Sequence, residues 1–305
     1  SEWCISRQRA WGLPIPVFYH KRTGDPLINE ETISHLQALV LKYDAGDGRE
    51  GSDCWWDLSV QELLPPSYAS CASEFEKGMD TLDVWFDSGS SWHTVLEDNS
   101  KGAPKRADVY LEGSDQHRGW FQSSLLTSVA MQQCAPYKHV ITHGFTLDER
   151  GSKMSKSLGN TLIPIDFIEG STMEVPSGNG KKPKLVKVPA YGADVLRYWV
   201  ATTDYTGDVS VGPTVMGKVS DALRKVRNTA RFLLANLNDF DPSQHAVAYD
   251  KLTSVDQYML HVLFELKQSV TEGYDVYALN RVQHAVSHFI STDLSAFYME
   301  AAKDR

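Results

Sequence analysis

Between Asp148 and Asn160 the chain reads DERGSKMSKSLGN, and three cations, Arg150, Lys153 and Lys156, fall within seven residues among serines. No packed core needs such a sequence. Lys153 and Lys156 are three residues apart, so one turn of irregular backbone aims both ammonium groups at a single polyphosphate, with the serines and backbone N–H groups as neutral donors. The apolar run His139 to Phe145 just before it predicts a strand that runs out into a mobile basic loop. Taken alone, a KxxK pair is served equally well by a solvated Lys/Ser loop.

A second set of chemistry-bearing residues lies at 108–121, DVYLEGSDQHRGWF. It predicts a short strand, a glycine turn and a helix with Leu125, Leu126, Val129 and Ala130 on one side. That order is the grammar of nucleotide binding in doubly wound sheets, where carboxylates at the strand tip hold ribose hydroxyls. Glu112 and Asp115 suit that need, although Ser114 and Asp115 would serve equally as N-caps of the helix. His117 stands beside a carboxylate and could be an acid or a base, but is read as structural or positioning. The stretch Asp80 to Trp92, DTLDVWFDSGSSW, predicts a strand breaking into a Gly/Ser turn, with Trp85 either walling a ligand pocket or filling the core. Near the N-terminus, Trp3 to Phe18 crowds two tryptophans, two arginines and two prolines together. It reads as a rigid hairpin whose Arg7 and Arg9 satisfy carbonyls or carboxylates.

The elements around these residues are ordinary. At 305 residues and 42% hydrophobic, the chain can bury a core and suggests about two domains. Its apolar runs fall short of the roughly 20 residues that a membrane span needs, and residues 1–4 carry no signal-peptide pattern, so no membrane partner is expected. Cys4, Cys54, Cys71 and Cys134 form no CxxC pair, so reduced thiols and no structural zinc are expected. A net charge of −9 confines any RNA contact to a local basic patch. Residues 20–80 read as a peripheral insertion with a helix through Ile33, Leu36, Leu39 and Val40 and a small packed satellite around Trp55, Trp56, Leu63 and Leu64. Residues 170–189, rich in Gly, Pro and Lys, read as an exposed insertion. Lys181, Lys182, Lys184 and Lys187 there suit a solvated loop or nucleic-acid phosphates. From Val215 onward, apolar residues recur at helical spacing in three runs, which predicts an antiparallel bundle whose first helix has a basic side of Arg224, Lys225, Arg227 and Arg231.

The string Lys153-Met154-Ser155-Lys156-Ser157, with HGF before it and LGN after, resembles the KMSKS signature of class I aminoacyl-tRNA synthetases. Four further stretches, in family order, are similar to the isoleucyl-tRNA synthetases: WCISRQRAWGLPIP from Trp3, DVWFDSG from Asp83, LEGSDQHRGWF from Leu111 and YGADVLR from Tyr191. KVRNTARFLL from Lys225 resembles the start of the anticodon-binding domain. The resemblance implies an α/β fold: the C-terminal half of a Rossmann-like catalytic domain with a peripheral insertion over residues 1–212, then the start of an all-α helical anticodon-binding bundle over 213–305. It implies activation of isoleucine with ATP and Mg2+, and transfer to tRNA(Ile), by a monomer in the cytoplasm or mitochondrial matrix. On it, Lys153, Ser155 and Lys156 are catalytic. Glu112, Gly113, Asp115, Met154 and Lys156 hold ATP or adenylate, Trp85, Gln116 and Trp120 form the amino-acid pocket, and no residue holds a metal. The family's second signature, HIGH, is missing, for none of the ten histidines sits in an HxGH string. The chain is therefore expected to be a piece of a longer polypeptide that supplies the HIGH-containing half and an editing domain, and to be inactive alone. A valine or leucine enzyme and a non-catalytic tRNA-binding fragment are the alternatives.

Overall fold

The computed structural model describes residues 3–96, 104–177 and 181–303, and the chain divides into two units, Ser1–Ile141 and Thr142–Arg305. The first opens with β1 (Ser6–Arg7), β2 (Phe18–His20), β3 (Pro26–Leu27) and α1 (Glu30–Val40). α1 starts where Asn29 Oδ1 accepts from Thr32 N at 2.9 Å and Asn29 N donates back to Thr32 Oγ1 at 3.0 Å. Two donors that the first turn leaves over are thereby satisfied. Short helices α2 (Cys54–Asp57) and α3 (Val60–Leu63) and strand β4 (Phe75–Lys77) follow, with β2 antiparallel to both β3 and β4. The expected satellite is a core of its own: Phe18, Leu36, Trp55, Leu63 and Leu64 are buried together, with the Phe18 and Trp55 rings 5.0 Å apart. Lys77 closes it. Its ammonium donates to the carbonyls of Trp55, Trp56 and Leu58 at 2.6, 3.0 and 2.9 Å, satisfying carbonyls at and just beyond the end of α2.

β5 (Thr81–Leu82) runs antiparallel to β1, and α4 (Val84–Gly89) and α5 (Ser91–Val95) come next. Here the sequence reading is corrected, because Asp83 caps a helix where a strand was expected and Trp85 sits in its first turn. β6 (Ala107–Gly113), a 3-10 turn over Ser114–Arg118, α6 (Trp120–Gln132) and β7 (Tyr137–His143) form the strand, turn, helix and strand of an α/β layer in which β6 pairs with β7. The apolar side of α6 is not its buried side. Ser123, Ser124 and Ser128 are buried while Leu126 and Val129 are 47% and 45% exposed. Small residues line the inward face because α4 packs there, close enough for the Thr127 hydroxyl to donate to Gly89 O at 2.6 Å.

The second unit contains β8 (Thr146–Leu147), α7 (Pro164–Glu169), the antiparallel pair β9 (Ser171–Ser177) and β10 (Lys181–Val188), α8 (Ala193–Thr202) and β11 (Val209–Ser210), which runs parallel to β8. The predicted exposed insertion at 170–189 is a hairpin with a buried base. Met173 and Val188 join Phe167, Val195, Val211 and Met216 in one core. Of its lysines, Lys187 is exposed, and the side chains of Lys181, Lys182 and Lys184 lie outside the described residues. Helices α9 (Pro213–Ala235), α10 (Pro242–His245), α11 (Ser254–Asp275) and α12 (Leu279–His288) complete the unit, α12 widening into a π-helical stretch over Phe289–Tyr298. α8 packs on α9 and α12, and α11 packs on α12. Val276, whose spacing from Leu279 and Val282 continues the third apolar run, lies in the break before that helix, where Tyr277 takes φ +57° and Ala278 N closes on Gly273 O at 2.8 Å.

Candidate active site

In the second unit the lysine loop is tied down at its ends. Asp148 and Asn160 meet across it, with Asn160 Nδ2 donating to Asp148 Oδ2 at 3.0 Å and to Lys153 O at 3.2 Å, and Ser155 N donating to Asn160 Oδ1 at 3.0 Å. Asp148 Oδ1 accepts from the backbone N–H groups of Arg150 and Ser152, both at 2.9 Å. Partial burial alone would raise the Asp148 carboxyl. The Asn160 amide, those two N–H groups and the Arg150 charge outweigh it and hold the carboxyl below its ordinary value. Lys153 stretches over the Phe145 ring, its ammonium 5.6 Å from the centroid. Lys156 is exposed and opens a 3-10 turn over Lys156–Leu158 that the Ser155 hydroxyl caps by accepting from Leu158 N at 3.2 Å. Met154 is half-buried against the core around Phe167 and Met216. The loop's strand is fixed in turn, since Phe145 N donates to Asp208 Oδ1 at 2.7 Å and Val209 N to Phe145 O at 2.9 Å. The expected mobile loop is thus a short, internally bonded one with two cationic side chains reaching outward.

In the first unit, β6 delivers Glu112 and Gly113 to its end and the 3-10 turn carries Asp115 and Gln116. Glu112 and Asp115 are exposed. Asp115 accepts from Gln116 Nε2 at 3.1 Å, and Glu112 Oε1 accepts from Gly113 N at the same distance. The capping alternative for Ser114 and Asp115 fails, for α6 begins at Trp120 and it is Gln116 Oε1 that accepts from Trp120 N, at 3.1 Å. Trp85 lines a cavity of about 840 Å³ together with Trp3, Asp83, His117, Gly119 and Phe121. Trp120 stands behind that wall: its ring stacks on Tyr110, centroids 4.2 Å apart, and its indole N–H donates to Ser88 O at 3.0 Å. Gln116 lies with Trp85 against Gly119, so Trp85, Gln116 and Trp120 are neighbours around one turn.

Sequence reasoning missed the group that holds this wall. Asp83 is 5% exposed, and its carboxylate accepts from Trp3 Nε1 at 2.9 Å, Arg7 Nη2 at 2.7 Å and Trp85 N at 3.4 Å. Arg7 is therefore spent on a carboxylate and on the carbonyls of Cys4 and Ser6, as its context suggested. One turn on, burial and then the Asp83 charge push the Asp87 carboxyl up, and Asp87 Oδ1 finds no hydrogen-bond partner among the described residues. The signal for Asp83 was an acidic residue directly before the apolar run Val84-Trp85-Phe86, which is an N-cap pattern once the run is read as a helix.

Among the described residues no group of three or more His, Cys, Asp or Glu side chains is placed to hold a metal ion, and no helix is long and apolar enough to cross a membrane. Over its whole length the chain is 53% identical to the isoleucine-tRNA ligase of Rippkaea orientalis and 54% identical to that of Microcystis aeruginosa, covering 30% of each. It is 50% identical over 308 residues to a probable mitochondrial isoleucine-tRNA ligase of Dictyostelium discoideum, covering 99% of this chain and 28% of that one. The chain thus spans about 30% of the length of the curated relatives it matches. Among solved structures it superposes on a leucyl-tRNA synthetase from Agrobacterium radiobacter K84, in ternary complex with tRNA and LeuAMS, with a TM-score of 0.67 at 20% identity, covering 99% of this chain and 36% of that one. It also superposes on the methionyl-tRNA synthetase of Mycobacterium tuberculosis, bound by methionyl-adenylate, with a TM-score of 0.55 at 18% identity, covering 75% and 41%. Both likenesses establish the α/β fold with its helical continuation. Residues 256–305 match the anticodon-binding domain of tRNA ligases. Since residues 1–212 match the model of the class I tRNA synthetases for I, L, M and V, this chain belongs to that family.

Proposed function

We propose that the protein containing this chain activates isoleucine with ATP as isoleucyl-adenylate and transfers it to tRNA(Ile), and that this chain supplies the KMSKS half of the site. The observation that carries the reading is identity of 53% to isoleucine-tRNA ligases across all 305 residues. On it, residues 1–212 are the second half of the catalytic domain, with insertions at about 20–80 and 170–189, and 213–305 open the helical anticodon-binding domain. The first step is in-line attack of a carboxylate on the α-phosphate, so catalysis is positioning and charge stabilisation. Lys153 and Lys156, with Ser155 as neutral donor, meet the charge that grows on the departing pyrophosphate of ATP, delivered as its Mg2+ complex. Glu112, Gly113 and Asp115 seat the adenylate at the tip of β6, Met154 backs it, and Trp85, Gln116 and Trp120 bound the side chain of isoleucine. The exposed position of both lysines and of both carboxylates fits these roles. The protein acts as a monomer in the cytoplasm or the mitochondrial matrix.

Pyrophosphate exchange by the full-length gene product, run side by side with isoleucine, valine and leucine, tests the reading. Isoleucine should win in kcat/KM by about two orders of magnitude over valine, because a missing methylene is worth only about 1–3 kcal/mol, a limit for which this amino-acid pair is the standard illustration. Preference for valine or leucine would reassign the substrate. No exchange with any of the three would leave a non-catalytic tRNA-binding role.

A further inference from the structure

Gly119 joins the 3-10 turn of Ser114–Arg118 to α6 with φ −135° and ψ −120°. A Cβ there would lie 2.9 Å from Cη2 and 3.0 Å from Cζ3 of Trp85, and 2.7 Å from Oε1 of Gln116, all inside van der Waals contact. The tryptophan is held at its backbone, while it is 39% exposed and its ring has the cavity on its open side. Its backbone N–H is held by Asp83, a carboxylate already fixed by Trp3 and Arg7. On its other side Gln116 Oε1 accepts from Trp120 N, and Trp120 is itself pinned by Tyr110 and Ser88 O. The indole of Trp85 therefore occupies the space that any side chain at position 119 would fill, and both residues face the same 840 Å³ cavity.

We propose that Gly119 is a specificity-determining residue: its missing side chain sets how far the Trp85 wall stands back and so which aliphatic side chain the pocket accepts. This rests on the reading above that Trp85 bounds the amino-acid pocket. A methyl group at 119 has to push the ring toward the cavity, since it would stand 2.9 and 3.0 Å from two ring carbons, inside contact distance. The experiment is pyrophosphate exchange by the full-length gene product carrying Gly119→Ala, Trp85→Leu, or both. Gly119→Ala should raise KM for isoleucine about tenfold or more, the effect of a misfitted methyl group, while KM for ATP moves less than about twofold. In the Trp85→Leu background, where the ring atoms are gone and only the end of the flexible Gln116 side chain has to give, the same alanine should raise KM for isoleucine less than about twofold further. Equal penalties in the two backgrounds, or equal rises in both KM values, would overturn the proposal. Should Gly119→Ala alone fail to fold, a folded double variant with the KM of Trp85→Leu supports it, and failure of the double variant to fold overturns it. Absence of isoleucine-dependent exchange in the unsubstituted protein would sink the activity itself, whereas exchange without coupling between 119 and 85 sinks only the role of Gly119.

Discussion

The lysine loop shows how much one buried amide can organise. Asn160 is 6% exposed and ties Asp148, Lys153 and Ser155 with three hydrogen bonds, so Asn160→Ala leaves several polar groups to find water. A cost of about 1–3 kcal/mol in local stability follows, read as faster amide exchange at Ser152 and Ser155; unchanged exchange there would show that the amide does not hold the loop. The same latch fixes the pH behaviour. Because the folded-state value of Asp148 lies below its ordinary one, the latch contributes in full above the ordinary carboxylate range of about 4 and is lost only as pH falls through the lower, folded-state value. The protection of these amides, their exchange taken against the intrinsic rate at each pH, should thus stay constant near neutrality and fall only in acid. The loop's donors were legible because Lys and Ser at that spacing have one chemistry. Asn160 was not, because its partner is twelve residues away and no local pattern announces the pairing.

At the scale of elements, two contacts decide how helices meet. Glu149, directly after the latch residue Asp148, places its carboxylate on the N-terminus of α9, accepting from Thr214 N at 2.5 Å and Val215 N at 3.1 Å. Negative charge on the free N–H groups of a 23-residue helix is favourable. Glu149→Gln should cost about 0.3–1 kcal/mol in the local opening of that turn, and Glu149→Ala about 0.5–2 kcal/mol. Identical amide exchange at Thr214 and Val215 in all three proteins would refute the cap. In α11, Gly273 lies against α12: a Cβ there would sit 2.5 Å from Val282 Cγ2. Alanine is the better helix former by about 1 kcal/mol, yet the overlap is expected to win by about 1–3 kcal/mol, so Gly273→Ala should destabilise the α11–α12 pair, with Val282→Ala restoring it. Stabilisation by the single change would refute the close contact. The periodic run of α1 was readable because Thr32 and Leu36 are buried on one face, whereas among the described residues α9 buries only Met216 and α11 only Met259 and Gly273, so there the spacing named the helix and not a buried face. α4 was misread as a strand because Trp85 and Phe86 look alike in either state, and the choice was made by the Asp83 cap. The apolar side of α6 faces outward, because hydrophobic pattern names the buried side only where bulky residues do the packing, and here serines do.

The whole molecule sets charge against position. With a net charge of −9, RNA can be met only by a local cationic surface, and α9 offers one in part. Arg224 is paired with Asp221 at 2.8 Å and Arg227 lies 3.7 Å from Asp194, while Lys225 donates to Ser291 and Arg231 is exposed. Such exposed pairs are weak, so phosphates can displace the carboxylates. Catalysis asks more of the molecule than binding does. Charge stabilisation at the leaving pyrophosphate is worth a factor of about 10²–10³ per donor removed, so Lys156→Ala in the full-length gene product should lower kcat for exchange by that much and leave KM for isoleucine nearly unchanged. An unaltered kcat would remove the lysine from the mechanism. Yet the chain holds no HxGH string, and it spans about 30% of its relatives. If the two signatures act together on one nucleotide, residues 1–305 produced alone should show no isoleucine-dependent exchange even though Lys153, Lys156 and the tip of β6 are all present, while the full-length gene product shows it. Robust exchange by residues 1–305 alone would mean that the lysine loop and the carboxylates suffice, and the half-site assignment would fall with the need for a second signature.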